Sequence, residues 1–146
     1  MKDMTDTLVC TPVPKKFVNS VWPDVVRVLG KSVATSSGKY ELSDIYEGIL
    51  KDDYVLWVVL DEDELVAAIT TRIAVYPGKR GMAMDWIGGS RMSEWLPSVQ
   101  RVMTKYARDN ECTHLEGYGR KAWGRWLAKY GWEPEYIAYR MELSDG

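Results

Sequence analysis

The sequence predicts an α/β (α+β) sandwich in which one mixed sheet passes from an antiparallel meander to a parallel crossover, with helices flanking it. Three observations predict it. Two apolar runs of strand length, Tyr54 to Leu60 (YVLWVVL) and Leu65 to Tyr76 (LVAAITTRIAVY), are joined by the short acidic stretch Asp61 to Glu64, and an antiparallel hairpin is the simplest way to connect them. A helix-length segment after Gly89 separates a third strand from a fourth, which implies a right-handed crossover to a parallel neighbour. Apolar residues at helical spacing bracket the strands on both sides.

Element by element, Thr7 to Val13 reads as an edge strand. Val18, Val21, Trp22, Val25, Val28 and Leu29 recur at helical spacing, but Pro23 lies among them, so the pattern predicts two short helices or one kinked helix. Gly30 is its expected cap, followed by a polar loop from Lys31 to Gly38. Leu42, Ile45, Tyr46, Ile49 and Leu50 line a second helix with Ser43 as the expected N-cap. After the two long strands, Pro77 to Gly81 turns the chain into a third strand, Met82 to Ile87. The clearest helix follows. Its apolar stripe is Trp95, Leu96, Val99, Val102, Met103, Tyr106 and Ala107, its start is placed near Ser93 or Glu94 by Pro97, and its end is Asn110. Thr113 to Tyr118 is a short strand, Lys121 to Tyr130 a final helix burying Ala122, Trp123, Trp126, Leu127 and Tyr130, Gly131 its cap, and Tyr136 to Leu143 a last strand.

Composition narrows the function classes. A chain of 146 residues is expected to form one domain spanning 1–146. Its net charge of −2 argues against a protein that holds nucleic acid mainly by neutralising phosphate. Two cysteines, Cys10 and Cys112, and a single histidine, His114, assemble neither a disulfide framework nor a common metal site, so no metal is expected, and Cys112 and His114 read as structural. The acidic N-terminus is unlike a signal peptide and no apolar run reaches membrane-spanning length, so no membrane partner and a reducing, cytoplasmic setting are expected.

The order of elements, with the segment AWGRWLAKYGW followed by a strand, resembles the GNAT superfamily of acetyl-CoA-dependent N-acetyltransferases over roughly Tyr54 to Leu143. Gly131-Trp132 occupies the place of that family's Gly-aromatic pair. The chain looks closest to short GNAT-like proteins of bacteriophages, through its LWVVL strand, Tyr-Pro turn, Gly-Gly loop with a nearby Glu-Trp, and Gly119, Arg120 and Trp123 in a Gly-Arg-x-x-Trp segment. That resemblance implies acetyl-CoA as the cofactor of an active member and a location in the host cytoplasm or the virion.

The family's pyrophosphate loop, a basic residue or Gln, two spacers, then Gly-x-Gly or Gly-x-Ala at a helix start, aligns with Asp85-Trp86-Ile87-Gly88-Gly89-Ser90. The first slot therefore carries the wrong charge. Gly88, Gly89, Ser90 and Arg91 remain the candidate cofactor residues, with Arg91 as a compensating cation. The family's general-acid Tyr maps onto Leu127, which has no proton to give.

Asp85 and Glu116 fall on adjacent strands as candidate general bases, and Tyr118 is the nearest substitute acid. Lys121, Arg125 and Lys129 form a basic stripe that a wet helix face explains, and nucleic acid is not an expected partner. Five tryptophans, Trp86, Trp95, Trp123, Trp126 and Trp132, frame this half, and Trp95 and Trp132 are expected to be exposed for a protein partner. Self-association is left open. The favoured function is a non-catalytic interaction protein on a GNAT-like fold, a virion component or a host-factor binder. The alternative is an N-acetyltransferase acting on an amine of a small molecule or protein.

Overall fold

Strands β2 (Val55–Asp61) and β3 (Glu64–Val75) are apolar on both faces, as an internal strand covered from two sides must be. In a computed structural model, which describes residues 8–119 and 123–144, they form the centre of a five-stranded sheet. The sheet order is β1 (Leu8–Pro12), β2, β3, β4 (Arg80–Gly89) and β5 (His114–Glu116). The first four strands are antiparallel and β4 pairs with β5 in parallel. The expected edge strand, the hairpin and the crossover are all present.

One face of the sheet is covered by α1 (Lys15–Ala34) and α2 (Leu42–Leu50), which bury Val18, Val25, Leu29, Ile45 and Ile49 against Leu56, Val58 and Ala68. The other face is covered by α3 (Met92–Asp109), which buries Trp95, Val99 and Met103 against Trp57, Val59, Ile69 and Met82. Successive residues of β2 thus point into different cores. Asn110 caps α3 as expected. Among the described residues no helix is long and apolar enough to cross a membrane.

Several local expectations give way. A single helix, α1, runs through both Pro23 and Gly30. Val33 is buried and extends the stripe of Val25 and Leu29 by another turn, so packing outweighs the preference of glycine for a cap. Pro23 withholds an N–H from the carbonyl of Asn19, at an exposed position where water can replace it. The N-cap of α2 is Glu41, not Ser43. The Glu41 backbone N–H donates to the Asp44 carboxylate at 2.8 Å, and that anion also favours the helix start.

The C-terminal expectations are the ones most altered. Helix α4 covers only Gly124–Ala128 and buries none of its residues, with Trp126 exposed; Lys121 and Ala122 lie outside the described residues. Gly131 does end it in a left-handed conformation, with the Trp132 N–H donating to the Leu127 carbonyl at 3.1 Å. Tyr136 to Leu143 forms no strand. Its alternation marks a segment able to pair, but the adjacent β5 offers only three residues of ladder. Trp95 is fully buried, contrary to the expected exposure, because α3 turns it into the core, where its Nε1–H donates to the Ser90 carbonyl at 2.6 Å.

Helix α1 seats directly on β4 at Gly88, where an added Cβ would lie 2.2 Å from the Val28 carbonyl oxygen. Backbone cannot withdraw as a side chain can, so Gly88→Ala should lower stability by about 1–3 kcal/mol, the usual cost of overpacking. A urea midpoint unchanged from wild type would contradict this seating.

Candidate functional site

The loop between β4 and α3 is two residues long, Ser90 and Arg91, and the Arg91 guanidinium and the Ser90 N–H and carbonyl are already engaged. Arg91 holds a left-handed backbone (φ 61°) as the N-cap of α3. Its Nε donates to Glu94 Oε2 at 2.6 Å and its Nη1 to Asp61 Oδ2 at 2.7 Å. The carboxylates of Glu94 and Asp61 together stabilise the charged guanidinium. The Ser90 N–H donates to the Val66 carbonyl at 2.9 Å. Gly88 faces α1, and a Cβ on Gly89 (φ 148°) would stand 2.3 Å from the Val66 carbonyl oxygen. Both glycines therefore serve close backbone packing. The positive end of the α3 dipole meets Glu94 in its own first turn.

Asp85 and Glu116 do share a face of the sheet, on the α1/α2 side. Arg72 of β3, Ala83 of β4 and Glu116 of β5 stand in one cross-strand row, so their side chains point the same way. A register shift in the β3–β4 ladder falls at Asp85. Arg72 meets Asp85 with two bonds, Nε to Oδ2 at 2.5 Å and Nη2 to Oδ1 at 3.2 Å. Glu116 accepts from the Tyr76 hydroxyl at 2.6 Å and contacts His114 Nε2 at 2.9 Å, an arrangement in which Nε2 carries the proton. Thr113 Oγ1 lies 3.2 Å from the other ring nitrogen.

The sequence reading passed over Arg72 and Tyr76 and gave His114 no role beyond structure. Arg72 is the one charged residue of β3 beyond its first position, Glu64, and that is the signal that could have found it. Tyr118 is exposed, and its hydroxyl is 3.3 Å from that of Tyr136, with no bond to Asp85 or Glu116. Leu127, in α4, offers no proton donor either.

Burial raises the Glu116 pKa, but hydrogen bonds from Tyr76 and His114 outweigh it and leave the carboxyl below its ordinary value of 4.5. The same bond to Glu116 pushes the Tyr76 phenol up to about 12. Burial pushes the Cys10 thiol up to about 12, so Cys10 carries no reactive thiolate. Among the described residues no three His, Cys, Asp or Glu side chains converge to hold a metal ion.

Beyond the pairs Gly81–His114, Met82–Leu115 and Ala83–Glu116, β4 continues to Gly89 with no ladder on its β5 side. The ladder stops because β5 ends at Glu116, and Gly117 beyond it still lies against β4, where an added Cβ would stand 3.2 Å from the Met84 carbonyl oxygen. A separate depression of about 400 Å³ lies on the outer face of α3 beside Gln100, Arg101, Thr104, Lys105, Arg108 and Asp109, and touches none of the predicted site residues.

No family model and no curated protein matches the chain. Solved structures do match it. An aminoglycoside acetyltransferase from an uncultured soil metagenomic sample, in complex with sisomicin, superposes with a TM-score of 0.70 at 10% identity, over 97% of this chain and 100% of that one. An acetyltransferase of Trypanosoma brucei gives 0.65 at 12% identity, over 93% and 99% of the two chains. A GNAT family acetyltransferase of Staphylococcus aureus gives 0.65 at 10% identity, over 94% and 99%. At such identities the likeness establishes a shared fold, that of the GNAT acetyltransferases.

The depressed Glu116 pKa has a definite sign. Its contribution to stability is fully present above the ordinary carboxylate value and is lost as the pH falls through the lower folded value. Glu116→Gln should therefore flatten the acid limb of stability against pH between about pH 6 and about pH 3, and Tyr76→Phe should flatten it in part. Urea titrations across that range read the slope; an acid limb as steep in Glu116→Gln as in wild type would remove Glu116 from the account.

Proposed function

We propose that this chain is a non-catalytic interaction protein built on the GNAT acetyltransferase fold, a virion component or a host-factor binder of the kind its likeness to short phage proteins suggests. The observation that carries this reading is the closed β4–α3 loop. A pyrophosphate seated there would have to draw Arg91 away from Glu94 and Asp61, leaving two carboxylates beside two phosphates. The Ser90 N–H is already given to Val66 and both glycines are packed against backbone. The residue in the family's basic slot, Asp85, is itself neutralised by Arg72. The residues present do not fit acetyl-CoA.

The pair of carboxylates gives no counterweight. A general base works best with a pKa raised toward the working pH, and Glu116 is lowered, with both oxygens engaged. Asp85 is committed to two bonds from Arg72. What supports the second reading, an N-acetyltransferase acting on an amine, is the likeness of the fold to solved acetyltransferases. Exposed aromatics support a protein partner for the first: Tyr76, Tyr118, Tyr136, Tyr139 and Trp126 all reach solvent.

Isothermal titration of the protein with acetyl-CoA decides between them. The expected result is no saturable heat and no rise in melting temperature at millimolar acetyl-CoA. Micromolar binding that Arg91→Glu abolishes would overturn the non-catalytic reading.

A further inference from the structure

One helix face gathers cations that the domain itself leaves almost unused. Arg101, Lys105 and Arg108 lie at i, i+4 and i+7 of α3, on the side opposite Val99, Met103 and Ala107, and all three are exposed. They border the depression of about 400 Å³ on the outer face of that helix. One edge of it is fixed, because Gln100 donates through Nε2 to the Tyr130 carbonyl at 2.6 Å and accepts through Oε1 from Trp132 Nε1 at 3.1 Å. Arg101 reaches Ser98 Oγ at 3.3 Å, and the Arg108 guanidinium has no hydrogen bond or ion pair among the described residues. Lys105 meets Asp109 at 2.8 Å, an exposed pair of the kind that contributes little and is readily exchanged. On a chain whose net charge is −2, this is a local positive field.

We propose that this face docks an acidic segment of a partner protein, whose carboxylates stand one helical turn apart against Arg101, Lys105 and Arg108. The site rests on the reading of the chain as an interaction protein and gives that reading a surface. Geometry sets the chemistry of the partner. At 1.5 Å per residue the three cations start from points about 6 and about 4.5 Å apart along the helix. Glutamates at i, i+4 and i+7 of a second helix repeat those steps, and the forked guanidinium groups of two arginines suit carboxylates in particular.

The stripe is also bounded. Glu94 precedes Arg101 by two turns, and beyond Arg108 come Asp109, Glu111 and the negative pole of the helix dipole. A nucleic acid strand carries its phosphates onward in both directions and would run onto these groups. A short acidic motif ends where the cations end.

The probe is a capped, alanine-rich helical peptide of about 15 residues with glutamates at i, i+4 and i+7, titrated at low salt while the amide shifts of the full chain are followed. Saturable shifts centred on residues 98–109 are expected. Binding should weaken about tenfold or more in R101E/R108E, and also as salt is added. That variant should instead take the same peptide with lysines in place of the glutamates, which wild type should not. Both arginines are exposed, and an unchanged melting temperature separates loss of docking from loss of fold.

The docking face is refuted if millimolar peptide leaves α3 unshifted, if R101E/R108E binds as well as wild type, or if the lysine peptide fails to bind the variant. A thymidine oligonucleotide of about ten nucleotides that shifts α3 at lower concentration than the peptide would give the face to nucleic acid and refute it too. Acetyl-CoA keeps the two readings apart. Its binding, with the peptide shifts on α3 intact, would end the non-catalytic reading and leave the docking face standing, whereas binding of neither ligand removes the docking face alone.

Discussion

The architecture depends on one constraint: β2 and β3 are apolar on both faces, and neither face can be left to water. Leu56 and Val58 need one helical layer while Trp57 and Val59 need another. Helices α1 and α2 meet the first need before the strands begin. Only α3 is available for the second, and covering the far face obliges the chain to cross over and return as β5, parallel to β4. The crossover places the β4–α3 loop, and with it Arg91, at the end of the sheet. Everything that looks like a site in this molecule is positioned by that return.

The charged groups at both ends of the sheet act on one another before they can act on a ligand. Arg91 joins the end of β2 to the start of α3 through Asp61 and Glu94. Arg72 ties β3 to β4 through Asp85, and Tyr76 and His114 converge on Glu116. Each arrangement satisfies a part-buried charge, as burial demands. A binding or catalytic site keeps some of its polar groups uncommitted in the free protein, or holds them at a pKa that lets a proton move. The pairings at Arg91, Asp85 and Glu116 tie strands and helix together, and under the proposed reading that is their role.

Sequence pattern was a good guide wherever burial repeats with a regular period. The strands from Val55 to Gly89 and the stripe of α3 follow directly from it, and so does the parallel crossover. It was a poor guide where a single residue type has two uses. Gly30 is a frequent helix terminator, but Val33 beyond it is buried and carries α1 onward. Gly88 and Gly89 have the spacing of a phosphate cradle, yet what decides their role is the distance from a missing Cβ to the carbonyls of Val28 and Val66, which no spacing encodes. Asp85 and Glu116 were legible as neighbours because strand order implies it. Their partners were not, since Tyr76 belongs to the turn after β3 and Arg72 looked like an ordinary strand residue until the register set it beside Asp85.

The C-terminal third shows where a period-two signal is insufficient. Residues 136–143 alternate as regularly as any strand in the protein, yet they stay outside the sheet, because alternation states only that a segment can present an apolar face and says nothing about who covers it. In β2 the cover comes from α1, α2 and α3 within the same chain. Among the described residues beside β5 there is no comparable layer: α4 is five residues long and buries none of them, and β5 itself is three. The two cores around β2 and β3 are complete without residues 136–143, so the packing of the domain does not depend on this segment.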